Sequence, residues 1–127
     1  MVEILLVAIG GAFGSVLRFL AGRGYVRAFG PENPWGATLI VNVLGGLLMG
    51  LLIGVLAARA EGGERVRLLL GVGMLGGFTT FSSFALEAVM MIEKKAYGLA
   101  AGYIAGSAAL SILGVMTGLL VVRKLAA

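Results

Sequence analysis

The chain has 127 residues, 60% of them hydrophobic and only 13% charged, with a mean hydropathy of +1.07. A soluble fold of this size buries too little of its surface to hide so much apolar matter, so lipid is the expected solvent. The formal charge of +4 comes from basic residues scattered between apolar blocks, which excludes a nucleic-acid-binding face or tail. With no Cys and no His, disulfides, thiolate chemistry and the usual general base or metal ligand are also excluded, and no enzymatic activity is expected.

Stretches poor in charge mark four spans, about 2–20, 35–58, 67–92 and 96–122, forming a single four-helix transmembrane domain over 1–127. The first span needs Phe19 and Leu20 to reach crossing length, which places Arg18 near an interface where it can snorkel. A cleavable signal peptide would open on a basic segment, whereas this one carries Glu3 and precedes no soluble domain. Ala21 to Pro34 is the expected first connection, with Gly30-Pro31 and Asn33-Pro34 as turn signals. Tyr25 and Trp35 stand where an aromatic belt belongs. Arg59 to Arg67 and the tight Glu93-Lys94-Lys95 hairpin complete the connections.

Two glycine rows run at four-residue spacing, Gly10, Gly14 and Gly22 with Arg18 on the first span and Gly46, Gly50 and Gly54 on the second. Gly98, Gly102 and Gly106 form a third on the last span, and tight helix packing is the plain reading of all three. Asn42 shares its row with Thr38, and an amide at that depth needs either an interhelical hydrogen bond or a water-filled path. Gly76-Gly77 followed by Phe78, Thr79, Thr80, Phe81, Ser82, Ser83 and Phe84 makes a poor helix interior, so a break is expected there. Phe81 and Phe84 lie three apart, and ring edges carry partial positive charge that can face an anion. Tyr103, Ser107 and Ser111 stack hydroxyl donors along one face of the last span. Amide and hydroxyl donors of this kind suit an anion better than a cation.

Basic residues divide evenly between the two sides of the membrane. Arg59, Arg65, Arg67, Arg123 and Lys124 face one side; Arg18, Arg23, Arg27, Lys94 and Lys95 face the other. An even split does not fix an orientation. It points to insertion both ways round and pairing as an antiparallel homodimer.

The segments Gly10 to Phe19, Thr38 to Asn42 with the glycines after it, and Gly76 to Phe84 together resemble the small fluoride channels called Fluc, or CrcB. One departure is Ala37 before Thr38, with the glycine one place earlier at Gly36. The resemblance implies an all-α, dual-topology homodimer with two fluoride pores in the cell (inner or plasma) membrane. It implies that Asn42 lines the pore, that the edges of Phe81 and Phe84 face the ion path, and that Thr38, Tyr103, Ser107 and Ser111 form a polar track. It further implies Arg18 at the vestibule, Glu87 near a pore end, and a central structural Na⁺ held by the Gly76 and Thr79 carbonyls. Its partners would be fluoride, sodium, lipid and a second copy. The alternative is a small dual-topology multidrug/proton antiporter. That activity requires a mid-span acid, and neither Glu3 nor Glu87 is well placed.

Overall fold

The computed structural model describes residues 1–59 and 61–127, and they form four helical passes. The first two are α1 (Val2–Phe29) and α2 (Trp35–Ala57). The third is divided into α3 (residues 64–78) and α4 (Phe81–Glu93), and the last is α5 (Tyr97–Ala126). All four passes are long and apolar enough to cross a membrane. Most large apolar side chains on them face outward, Phe13, Phe19, Leu86 and Ile112 among them. That inverts the soluble pattern, and this is a multi-pass membrane protein.

α1 does not stop where its apolar run stops. It continues through Arg23 and Arg27 to Phe29, ending only at Gly30, which adopts φ 85°. The glycines at 22 and 24 weaken a helix, but an unwound backbone near lipid would leave its polar groups unpaired. Its 28 residues extend about 42 Å, more than the hydrocarbon thickness of about 30 Å. Arg18 therefore lies well inside the helix and not at its end.

Backbone meets backbone in two helix pairs. A Cβ at Gly10 would lie 2.9 Å from the Met74 nitrogen, and one at Gly73 would lie 2.9 Å from the Gly10 Cα, so α1 and α3 touch without side chains between them. α2 and α5 do the same: a Cβ at Gly46 would lie 2.7 Å from the Ser111 oxygen, and one at Gly118 would lie 2.6 Å from the Leu51 nitrogen. Close approach supplies dispersion where no hydrophobic effect drives helices together. The third predicted row departs from this. Gly98, Gly102 and Gly106, like Gly22, meet nothing within 4 Å. Among the described residues these positions face no other helix, because periodicity marks a face without saying what lies opposite.

Within α3, Arg67–Leu75 winds as a π-helix, and the Gly76 N–H reaches back five residues to the Gly71 carbonyl. The break expected in the Gly76 to Phe84 segment follows, just after Gly76 and Gly77, which are still helical. It falls at Thr79 (φ −79°, ψ 156°) and Thr80 (φ −149°, ψ 120°), both extended. Gly77 is needed as a contact, since a Cβ there would lie 3.1 Å from the Gly11 Cα. The threonines can terminate a helix because their hydroxyls replace lost backbone partners. The Thr79 hydroxyl donates to the Leu75 carbonyl (2.9 Å), and the Thr80 hydroxyl accepts from the Ser83 N–H (3.2 Å) and caps α4.

Candidate functional site

The break faces α2 across the membrane interior, and Asn42 spans the gap. Its Nδ2 donates to the Thr80 carbonyl (2.9 Å), and its Oδ1 accepts from the Thr80 N–H (2.8 Å). The side-chain amide thus pairs with one residue as a neighbouring β-strand would. Of the two readings left open for Asn42, the interhelical bond is present, yet a second Nδ2 hydrogen stays uncommitted among the described residues.

That amide lies on the wall of a cleft of about 430 Å³ between α2, the break, α4 and α5. Thr80, Phe81, Phe84, Ser107 and Ser111 share the lining. The Phe81 and Phe84 rings sit 5.4 Å apart and tilted by 48°. Phe84 is half-buried, while Phe81 is 80% exposed, so one side of the cleft is open. Ser107 is only 5% exposed, and its hydroxyl has no hydrogen-bond partner among the described residues. A buried hydroxyl without a partner is costly, and this one borders the cleft.

Beyond Phe84 the aromatic contacts continue to Tyr103, with ring centroids 5.3 Å apart. The Tyr103 hydroxyl donates to Glu87 Oε2 (2.6 Å), and the Thr38 hydroxyl donates to Glu87 Oε1 (2.8 Å). Thr38, Glu87 and Tyr103 therefore form one cluster contributed by α2, α4 and α5. Sequence reading names all three but not their mutual bonding. One signal was present: Glu87 and Tyr103 each lie eight residues from Lys95, the positive-φ residue of the hairpin (φ 59°), which matches their depth.

Arg18 is not on the cleft lining. Its Nε donates to the Gly77 carbonyl (3.0 Å), capping the negative end of α3 from the α1 side. Replacing Arg18 with Met should lower stability by about 1.5–3 kcal/mol, the range for a hydrogen bond to a charged group, with Lys partly restoring it. Thermal unfolding in detergent measures this, and equal midpoints for Met and wild type would remove the capping role.

The carbonyls at the break can now be accounted for. Leu75 accepts from Thr79, Gly77 from Arg18, and Thr80 from Asn42. The carbonyls of Gly76, Phe78 and Thr79 have no hydrogen-bond partner among the described residues. Carbonyl oxygens without a partner are hard donors, of the type small alkali cations take.

The chain matches the family model described as CrcB-like protein, Camphor Resistance (CrcB), over residues 5–119. It is similar to a protein of Caulobacter vibrioides called fluoride-specific ion channel FluC, at 55% identity over 98% of each chain. Proteins of the same name from Novosphingobium aromaticivorans (51% identity, 99% of this chain and 100% of the relative) and Agrobacterium fabrum (50%, 98% and 99%) are similar along their full length.

Proposed function

This chain belongs to the CrcB-like family, and on that footing we propose that it is a fluoride-selective channel conducting the ion passively across the cell membrane. The observation that carries the reading is the lining of the cleft: an amide N–H, an unpartnered buried hydroxyl and two phenyl rings, with no basic side chain among the described residues of the lining. Fluoride is small and holds its water tightly, so a pore must replace that water with several close donors. Asn42, Ser107 and Ser111 supply N–H and O–H groups, and the Phe81 and Phe84 edges supply weaker positive potential. Arg18 is committed to the Gly77 carbonyl, which keeps a trapping cation off the route. At the outer end, Thr38 and Tyr103 hold hydroxyls that Glu87 now occupies and that a passing anion would compete for.

The functional unit in this proposal is an antiparallel homodimer. The open side of the cleft and the exposed Phe81 ring support it, since a second copy would close the route. So does the even division of basic residues between the two sides. The Gly76 and Thr79 carbonyls of the two copies would hold a structural sodium ion, whose bound charge supplies positive potential beside the path. A drug/proton antiporter would require an acid free to exchange protons in mid-span, and both oxygens of Glu87 are engaged.

Proteoliposomes loaded with fluoride should release it at a rate that a fluoride electrode resolves, with chloride and a drug cation retained. Phe81→Ile and Phe84→Ile should each slow fluoride release by about tenfold or more without dissociating the dimer, because an aliphatic edge lacks the ring's quadrupole. Chloride release equal to fluoride release would refute selectivity, and unchanged rates in both variants would remove the rings from the path.

A further inference from the structure

We propose that Trp35 is a positioning residue for the outer end of this route, holding the Tyr103 ring so that its hydroxyl stays on the Thr38–Glu87 cluster. The inference rests on the reading of the cleft as a fluoride path. A tryptophan near a helix end in a membrane protein commonly anchors the interface, with its indole among the headgroups. Trp35 does more than that. Its indole is half-buried and meets the Tyr103 ring edge-on, at 5.6 Å and 64°, within the cluster that includes Ala88, Met91 and Ala100. Its Nε1–H donates to Asn33 Oδ1 (3.3 Å), which ties the indole to the turn preceding α2.

Tyr103 therefore touches two rings, Trp35 and Phe84, rather than one. Thr38 follows Trp35 by three residues, so both project from one face of α2, one as a wall and the other as a donor. The phenol is long, and a small change at its χ1 would swing the hydroxyl away from Glu87. Edge-on aromatic pairing opposes that rotation. The ion then has only Glu87 to displace and meets no population of displaced rings.

The test uses full-length protein in liposomes, with fluoride as the probe, and Trp35→Leu and Trp35→Phe variants. Trp35→Leu should raise the fluoride concentration giving half-maximal release about two- to tenfold, with release at saturating fluoride changed far less. Trp35→Phe keeps a ring edge and should stay within about twofold of wild type. The chain has one Trp, so the emission of the unmodified protein reports on the contact. Fluoride should shift that emission as Tyr103 exchanges Glu87 for the ion, and chloride should not. An unaltered half-saturation in Trp35→Leu, or a loss equal at low and saturating fluoride, would overturn the positioning role. An emission blind to fluoride in the unmodified protein would overturn it as well, even if Trp35→Leu failed to fold. Wild-type liposomes that release no fluoride would remove the channel reading and this inference together, whereas normal wild-type release with an insensitive Trp35→Leu removes only the inference.

Discussion

Asn42→Ala should abolish fluoride release and destabilise the folded protein by about 2–6 kcal/mol, because two backbone groups lose their partners at once. The Thr80 N–H and carbonyl are both satisfied by this one amide. They lie at a depth where water is scarce, so each is left with its full desolvation cost. Asn42→Asp separates the two bonds. It keeps an acceptor for the Thr80 N–H but sets an oxygen against the Thr80 carbonyl, and it places negative charge on the wall of the proposed anion path. We expect it to conduct no better than alanine while recovering part of the stability. Thermal unfolding in detergent and electrode-monitored efflux distinguish the two effects. An alanine variant that melts with the wild type would show that the break does not depend on α2.

A single methyl group added at Gly14 should be almost as damaging. A Cβ there would lie 2.8 Å from the Phe78 nitrogen and 2.9 Å from the Met74 carbonyl carbon, both backbone atoms that cannot rotate away. α1 would have to withdraw from α3, and Arg18, one turn further along α1, would be pulled from the Gly77 carbonyl. Overpacking costs about 1–3 kcal/mol. Loss of a charge-assisted bond adds about 1.5–3 kcal/mol. Gly22→Ala is the matched control, since a Cβ there meets nothing within 4 Å, and it should be neutral or stabilising by up to about 1 kcal/mol. Equal melting of the two variants would mean that α1 and α3 are not in backbone contact.

The four crossings were legible because charge is excluded from hydrocarbon whatever the fold, so gaps between charged residues trace the spans. The extent of α1 was not. Arg23, Gly24 and Arg27 look like a loop by composition, whereas the need to satisfy backbone groups carries the helix on to Gly30. Glycine rows were visible, but Gly10 and Gly46 face neighbours while Gly98, Gly102 and Gly106 face none among the described residues. The break was legible to within one turn, since Gly76 and Gly77 weaken a helix. Its location at Thr79 and Thr80 depends on Asn42, 38 residues away from Thr80, and such a pairing is a tertiary fact. Arg18 illustrates the same limit. Its charge suggested an interface, and the carbonyl that engages it lies 59 residues further along the chain.

In the proposed channel the amide of Asn42 serves scaffold and route with the same few atoms, and this divides the walls of the cleft by their freedom to vary. Any residue tried at position 42 is judged first on whether the protein folds, so α2 is the fixed jaw. Ser107 and Ser111 on α5 enter no side-chain hydrogen bond among the described residues. In the proposed channel, exchanging them for residues of similar size would alter what the ion meets without breaking a bond between helices. Attempts to retune this pore towards another anion, by design or by natural drift, should therefore accumulate on α5 and leave position 42 untouched.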